Sequence, residues 1–139
     1  MQRVWSDDDR AALRALIARI ESTFGVDLAA WLACFARPVV FVTPMATLVL
    51  PDDAAAEAQF RPMFDALTAR GFHSTVADSV VIRSIGDDLA LVDAAFTRRR
   101  ADGSSLERVG ALYVCRRLDD GWTVATLIAH PAEVAALGS

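Results

Sequence analysis

The sequence predicts an α+β fold, with helices mainly in the first half and long strands in the second. Apolar residues recur at helical spacing up to about residue 35, and again between residues 53 and 70. From residue 74 onward the pattern changes to β-type runs that are separated by short turns rich in Asp and Gly. Helices followed by runs of strands are typical of domains in which helices pack on one face of a sheet.

Two helices are predicted before residue 38. Ser6 is a suitable N-cap for the first helix, whose buried stripe consists of Leu13, Leu16, Ile17, Ile20 and Phe24. Gly25 ends this helix. Asp27 caps a second, short helix, which Pro38 stops because the residue before a proline disfavours helical backbone.

Two short strands and a third helix follow. Residues 39–42 and 46–50 are rich in β-branched side chains and are separated by a turn that contains proline. Asp52 or Asp53 then starts an Ala-rich helix, which Pro62 breaks or kinks and which ends near Gly71.

Four long strands complete the sequence, at about residues 74–85, 89–100, 105–118 and 122–130. The turns between them are of hairpin type, so the strands pair in order as a curved antiparallel sheet. The predicted element order is α-α-β-β-α-β-β-β-β, in one domain of residues 1–139 with a core at about 6–131.

This element order, together with Leu-Asp-Asp-Gly-Trp at residues 118–122 and a His at position 130, resembles the NTF2-like superfamily. The closer resemblance is to its SnoaL-like and ketosteroid-isomerase-like branch, and it covers about residues 6–131. It implies a cone whose pocket lies between the helices and the concave sheet, and dimers that often form through the outer sheet face. It implies no single activity, because the fold carries isomerases, cyclases, dehydratases and non-catalytic modules.

Strand pairing predicts which side chains share a face of the sheet. A two-residue loop between the second and third long strands places Arg98 opposite Glu107, two charges of opposite sign. A three-residue loop at 119–121 places His130 opposite Gly110, whereas a two-residue loop would exchange the faces of the last strand. We prefer the longer loop, because the resemblance implies that alternate residues after this turn line the pocket.

The face selected in this way combines a few polar groups with apolar surface, as small-molecule sites do. Asp93 and His130 are the candidates for general acid and base catalysis. They lie diagonally across one strand, too far apart for a direct hydrogen bond, although they could flank one ligand. The ligand-binding candidates, on this face and on the helices that close it, are Trp31, Phe35, Phe64, Thr97, Arg108, Gly110, Leu112, Thr126 and Ile128.

Each candidate also has a purely structural interpretation. Asp93 could form an ion pair with an arginine such as Arg108, and His130 could bond backbone at the end of its strand. Trp31 and Phe35 complete a helical apolar stripe and therefore also fit a core.

The opposite face of the sheet is apolar as well. It carries Val92, Phe96, Val109 and Tyr113, whereas a sheet with one wet face should alternate with polar residues. We therefore assign this second face to a subunit partner and expect a homodimer.

Steroid isomerisation is not supported. The ketosteroid-isomerase pattern implies a Tyr on the first helix and a carboxylate near residues 39–43, and neither is present. At the sheet position where that pattern implies an Asp, this sequence has Leu112.

Composition excludes several other classes. A net charge of −4 argues against nucleic-acid binding. Although 54% of the residues are hydrophobic, no uncharged stretch is long enough for a membrane helix. The two His and two isolated Cys residues have no zinc-ligand spacing, and no phosphate-binding or nucleophile motif indicates a cofactor.

Two observations concern origin and location. Every basic residue is Arg, and Lys and Asn are absent, which suggests a GC-rich bacterial genome. Without a signal peptide at the first residues, Cys34 and Cys115 are interpreted as reduced, buried thiols of a cytoplasmic protein.

Three hypotheses for the function remain. The first is a dimeric protein that binds a small, largely apolar molecule in its cone, with catalysis left open. The second is a SnoaL-like isomerase, cyclase or dehydratase that uses Asp93 and His130. The third is a non-catalytic dimerisation module whose cavity is filled by its own side chains.

Overall fold

The computed structural model describes residues 4–138, which form three helices and a six-stranded sheet. The helices are α1 (Asp7–Thr23), α2 (Leu28–Leu32) and α3 (Asp53–Ala69). The strands are β1 (Phe35–Val42), β2 (Thr47–Leu50), β3 (Phe72–Ser84), β4 (Leu89–Arg100), β5 (Ser105–Leu118) and β6 (Gly121–His130). The α+β class and the predicted element order are confirmed; residues 1–3 and 139, at the ends of the predicted domain, lie outside the described residues.

The helices begin where the sequence predicts. The Asp9 carboxylate accepts a hydrogen bond from the backbone N–H of Ser6 at 2.9 Å, which closes the first turn of α1. Asp27 and Asp52 each accept a hydrogen bond from the backbone N–H three residues later, at 3.1 Å and 2.9 Å. These caps satisfy N–H groups that have no partner inside their own helix.

Pro38 behaves differently from the prediction, and Pro62 does not break its helix. Pro38 lies inside β1, which begins at Phe35, instead of separating a helix from a strand. The pairing of β1 with β6 is irregular between Phe35 and Val40, so Pro38 falls where the ladder is interrupted. The helix α3 continues through Pro62 to Ala69.

The sheet is mixed, with the strand order β2-β1-β6-β5-β4-β3. The last four strands pair in sequence as antiparallel neighbours, as predicted. The expectation of a wholly antiparallel sheet is wrong, because β1 pairs with β6 in parallel while β2 pairs with β1 antiparallel. This parallel pair joins the short early strands to the long hairpins.

In the β4–β5 hairpin the loop is longer than predicted, and a β-bulge compensates for it. Arg100 N–H donates to Ser104 O at 2.9 Å, which leaves three residues in the loop. One extra residue of β5 then shifts the register between Arg98 and Arg99. Arg98 therefore lies opposite Glu107, as predicted.

In the β5–β6 hairpin the loop is shorter than predicted. Leu118 pairs with Gly121, so the loop has two residues and the three-residue loop is wrong. A bulge in β6 opposite Val114 and Cys115 restores the predicted pairing of Gly110 with His130. Beyond this bulge the predicted faces hold.

The helices pack on the sheet face that we assigned to a subunit partner, so that assignment is wrong. Its side chains are buried beneath the helices and include Val92, Ala94, Phe96, Tyr113 and Cys115. We use "helix-facing side" for this face and "outer face" for the other. The physical reason is that the outer face carries Asp93, Thr97, Arg108 and His130, and four polar groups under the helices would need partners there.

Candidate functional site

A cavity of about 140 Å³ lies between the helices and the helix-facing side of the sheet. Most of its lining is apolar, and it draws on both layers. Its lining residues are Ile20, Glu21, Phe24, Trp31, Thr75, Phe96, Arg98, Val109, Gly110, Ala111, Tyr113, Leu127 and Ala129. The cavity therefore lies where the predicted cone has its pocket.

An aromatic cluster centred on Trp31 lies beside the cavity. The Trp31 ring contacts Phe35, Phe60 and Phe64, with ring centroids 4.8, 5.0 and 5.5 Å apart. Such tilted and edge-on contacts are favourable for aromatic side chains. The predicted ligand contacts Phe35 and Phe64 belong to this cluster but do not line the cavity, whereas Trp31 does both.

Two buried polar atoms of cavity-lining residues have no hydrogen-bond partner within residues 4–138. They are Nε1 of Trp31 and Oγ1 of Thr75. Trp31 is only 3% exposed, so solvent does not satisfy its indole N–H. An unsatisfied buried polar group costs about 1–3 kcal/mol, and such groups are uncommon in native proteins. Neither atom has surface that a water-sized probe can reach, so both are buried in the packing around the cavity and do not border its open space.

The charged groups at the cavity are already engaged with the protein. The Arg98 guanidinium lies 4.2 Å from the centroid of the Phe24 ring, and its Nη1 donates to Glu107 Oε1 at 3.3 Å. Burial lowers the pKa of Arg98, and the attraction of Glu107 opposes this change. Glu21 Oε2 accepts a hydrogen bond from the Ala77 N–H at 2.6 Å.

Tyr113 places a neutral phenol against the cavity. Burial raises the pKa of Tyr113 well above its ordinary value, so the hydroxyl keeps its proton at physiological pH. The same effect raises the pKa of the neighbouring Cys115 thiol to about 12. The helix-facing side of the sheet therefore has no ionised group at either position.

Most of the predicted site residues lie on the outer face, away from the cavity. Thr97, Arg108, Leu112, Thr126 and Ile128 share that face with Asp93, as their pairing shows. Of the predicted residues, Trp31 and Gly110 line the cavity. The prediction correctly grouped the residues of one face but placed that face on the wrong side of the sheet.

Asp93 and His130 are in direct contact, contrary to our expectation. His130 Nε2 lies 2.6 Å from Asp93 Oδ1. The imidazole reaches across β5 because Gly110 has no side chain, and a Cβ added there would overlap the His130 ring. Strand spacing alone underestimated how far a side chain extends over a glycine.

This pair holds the residues that follow β6 against the outer face. His130 Nδ1 lies 2.7 Å from Pro131 O, and Asp93 Oδ2 accepts from Ala136 N–H at 2.8 Å. Arg83 Nη2 donates to Leu137 O at 3.1 Å, which adds a further contact. All polar atoms of the Asp93 and His130 side chains are thus engaged within the chain. Their arrangement matches the structural interpretation, with His130 in place of Arg108 as the partner of Asp93.

The other polar residues of the outer face form a separate network. Thr97 Oγ1 donates to Asp78 Oδ2 at 2.6 Å. Arg108 lies 3.7 Å from Asp78 and 3.9 Å from Glu133. These ion pairs are partly exposed to solvent on the outer face, and they do not contact the cavity.

Sequence reasoning missed several residues that line the cavity, among them Thr75, Arg98, Tyr113 and Ala129. One signal could have identified all of these except Thr75. The face with Phe96, Val109 and Tyr113 carries fewer polar groups than its opposite and therefore suits contact with the apolar stripes of the helices. For Thr75 the sequence contains no such signal.

Two absences hold for residues 4–138. No cluster of three or more His, Cys, Asp or Glu residues is arranged to hold a metal ion there. Within the same range, no helix combines the length and apolar content that crossing a membrane requires. Cys34 and Cys115 are both buried and unpaired, as predicted.

The fold is similar to several solved structures. An NTF2-like protein with a cystatin-like fold from Novosphingobium aromaticivorans is 20% identical, with a TM-score of 0.74 over 94% of this chain and 86% of that one. A protein of unknown function from Nostoc punctiforme is 15% identical, with a TM-score of 0.73 over 96% and 98% of the two chains. An NTF2-like protein of unknown function from Pseudomonas putida is 19% identical, with a TM-score of 0.72 over 97% and 94%. At these identities the likeness concerns the fold alone.

Comparison with known families gives a more specific result. No curated protein matches the chain. The model of one family, described as NTF2-like protein (DUF6841), matches residues 12–132, which include every strand and most of α1. The chain therefore belongs to the NTF2-like protein family DUF6841.

Proposed function

We propose that this protein binds a small, largely apolar molecule in the cavity between its helices and its sheet. The observation that carries the proposal is the cavity of about 140 Å³ itself, which lies between the two layers and has a mostly apolar lining. The aromatic and aliphatic side chains of the lining would exclude water from a bound apolar molecule.

The geometry supports binding more than proton transfer. Glu21 and Arg98, the charged residues of the lining, are engaged with Ala77 and Glu107. Asp93 and His130, the predicted acid and base, lie on the outer face and are engaged with each other. We therefore propose a binding protein rather than a SnoaL-like enzyme that uses these two residues.

Filling the cavity tests the proposed function. In Ala129→Trp an indole would occupy the space that the small lining residue Ala129 leaves open. We expect native mass spectrometry of freshly purified wild-type protein to show a retained small molecule, or a fragment screen by thermal shift to find one that binds. Ala129→Trp should lose that binding.

Ala58→Trp is the matched control, because Ala58 is exposed on α3 and does not line the cavity. It should bind like the wild type. If no compound binds, or if Ala129→Trp binds as tightly as Ala58→Trp, the proposed function is wrong.

We also propose that a second copy of this chain covers part of the outer face, giving a homodimer. The half-buried side chains of Leu91, Leu112, Val114 and Ile128 form an apolar patch on neighbouring strands of that face. The segment after β6 contacts Asp93 and Arg83 and lies beside Ser79 and Val81, so it leaves most of this patch open. The resemblance to NTF2-like proteins, which often form dimers through this face, supports the same occupant.

Light scattering coupled to size exclusion tests the dimer. We expect a mass of about 30 kDa, twice the 15.0 kDa of one chain. Leu112→Glu should give the monomer, because a carboxylate in a dry interface is costly. Val49→Glu, at an exposed position of β2, is the control and should remain dimeric. A wild-type protein that elutes at the monomer mass would contradict this proposal.

A further inference from the structure

We infer that the ligand of the cavity is a small monocarboxylic acid, whose apolar body of about one ring fills the cavity while its carboxylate binds the Arg98 guanidinium. This inference rests on the proposed function and specifies the ligand of the same site. Three observations support it: the place of this guanidinium, the donors that it leaves unused, and the excess of positive charge around it.

The charged end of Arg98 lies at the cavity wall. Arg98 is a lining residue, and its guanidinium carbon lies 4.2 Å from the centroid of the Phe24 ring, which lines the same cavity. The Arg98 side chain is only 18% exposed. Burial lowers the pKa of Arg98 although Glu107 opposes this change, so the existing partner does not fully replace the water that the cation has lost. A second anionic partner would stabilise the charged form further.

Arg98 keeps two nitrogen donors that no group within residues 4–138 uses. Its hydrogen bond to Glu107 comes from Nη1, at 3.3 Å. Nε and Nη2 make no hydrogen bond within that range, and unlike the indole nitrogen of Trp31 both retain accessible surface. These two nitrogens share one edge of the planar guanidinium, and their N–H groups point the same way. That edge matches the two oxygens of a carboxylate in a bidentate pair.

The charges around Arg98 leave room for a further carboxylate. Glu107 Oε1 is shared between two guanidinium groups, that of Arg70 at 3.0 Å and that of Arg98 at 3.3 Å. Two guanidinium groups and one carboxylate leave this cluster with a net charge of +1. Arg99 and Arg100 follow at the end of β4, and neither forms an ion pair within residues 4–138. This end of the sheet therefore attracts anions, although the whole chain has a net charge of −4.

The size and the lining of the cavity define the apolar body of the ligand. A volume of about 140 Å³ is close to that of an engineered cavity of about 150 Å³ that binds benzene in another protein. Aromatic side chains of both layers are among the lining, including Phe24, Trp31, Phe96 and Tyr113. A single ring would therefore find flat apolar surface, whereas a fused polycyclic acid would require these side chains to move.

The test compares acids with neutral analogues of the same shape. Benzoate is paired with benzamide, and cyclohexanecarboxylate with cyclohexanecarboxamide. Calorimetric titration gives the Kd of each compound, and ¹H–¹⁵N spectra follow the Nε–H resonance of Arg98, which is assigned by its absence in Arg98→Lys. We expect each acid to bind about tenfold more tightly than its amide, because hydrogen bonds between charged groups are the stronger ones. The Arg98 Nε–H resonance should move downfield with the acids.

Three variants identify the anchor. Arg98→Gln should remove the preference for the acids while the amides still bind, and Arg98→Lys, which keeps the charge but loses the paired donors, should keep only part of it. Glu107→Gln removes a neighbouring negative charge and should make the acids bind more tightly without changing the amides. The matched control is Arg61→Gln on α3, since Arg61 is an exposed arginine that pairs with Glu57 and does not line the cavity; it should keep the preference.

The outcomes separate this inference from the proposed function. If the amides bind as tightly as the acids and Ala129→Trp abolishes the binding of both, the protein has a binding cavity but the carboxylate is wrong. If the preference for the acids survives in Arg98→Gln, or if the acids bind Ala129→Trp as tightly as the wild type, Arg98 at this cavity is not the anchor. If neither acids nor amides bind, the proposed function fails together with this inference.

Discussion

Replacing Gly110 with alanine should break the contact that crosses β5 on the outer face. A Cβ at this position would overlap the His130 ring and lie 2.9 Å from the Pro131 carbonyl oxygen. The ring would have to turn away from Asp93, ending the 2.6 Å contact between Nε2 and the carboxylate. Asp93, which is 7% exposed, would then keep only the Ala136 N–H as a partner.

The expected loss of stability is about 3 kcal/mol. Losing a hydrogen bond to a buried carboxylate costs about 1.5–3 kcal/mol, and these two side chains are 12% and 9% exposed. The close contact of the new Cβ with the Pro131 carbonyl adds strain of about 1 kcal/mol. The alanine recovers about 0.4–1 kcal/mol, because it restricts the unfolded chain more than glycine does. For a chain of this length the net loss corresponds to a fall in Tm of about 9 °C.

Urea unfolding followed by circular dichroism measures this loss, and a double-mutant cycle identifies its cause. In a His130→Ala background the ring is absent, so Gly110→Ala should cost at least about 1.5 kcal/mol less than in the wild type. The contact with the Pro131 carbonyl remains in both backgrounds and cancels in the comparison. A Gly110→Ala variant within about 0.5 kcal/mol of the wild type, or additive costs in the cycle, would refute the reasoning.

Three further predictions concern buried groups. Cys34 and Cys115 are buried, and burial raises the pKa of both thiols. Neither thiol should therefore react with a thiol reagent until urea unfolds the protein. Rapid labelling of the native protein would contradict this prediction. Because the pKa of Cys115 rises from 9.0 to about 12 and that of Tyr113 rises as well, the unfolded chain loses protons first as the pH increases. The free energy of unfolding should therefore fall between about pH 9 and pH 12, by up to about 1.4 kcal/mol per pH unit for the thiol, and an unchanged slope in Cys115→Ala would exclude Cys115 as a source. Asp9 is 5% exposed and accepts from the Trp122 indole at 3.3 Å, so Asp9→Ala should lose about 2 kcal/mol in urea unfolding; a loss below about 0.5 kcal/mol would show that neither the cap nor this bond matters.

The order of the elements was predictable because it depends on local signals. Capping residues such as Asp27 and Asp52 act within one helical turn, and the change in apolar period near residue 72 marks where strands begin. Pairing across the long hairpins was also predictable in its centre. The opposite charges of Arg98 and Glu107 supported one register, and the structure has that register.

We mispredicted which side of the sheet faces the helices, although the polar residues of one side argue against burying it there. The resemblance led us to place the face of Asp93 in the pocket, although burying Asp93, Arg108 and His130 under helices would need partners for each. In the structure Asp93 and His130 partner each other beneath the segment that follows β6. That segment carried no pattern that predicted its position.

The candidate site was predictable only in part. Trp31 could be proposed because a large aromatic residue on a helical stripe must face the sheet, and it does line the cavity. The missing hydrogen bond of its indole depends on every atom around it, and no sequence pattern reports that. The same holds for Thr75, whose hydroxyl is one of many in the chain until its surroundings are known.

In each long hairpin the loop differs by one residue from its predicted length. A bulge farther along the strand restores the predicted pairing. One consequence concerns alignment. Counting residues outward from either turn would assign the inner part of each strand to the wrong side, whereas counting from the pair Gly110 and His130 would not. A residue could therefore be inserted or deleted at either tip of this chain, with a matching change at the bulge, and leave the cavity wall intact. For assigning the faces of these strands, the pair Gly110 and His130 is a better reference point than the Asp-Gly turns.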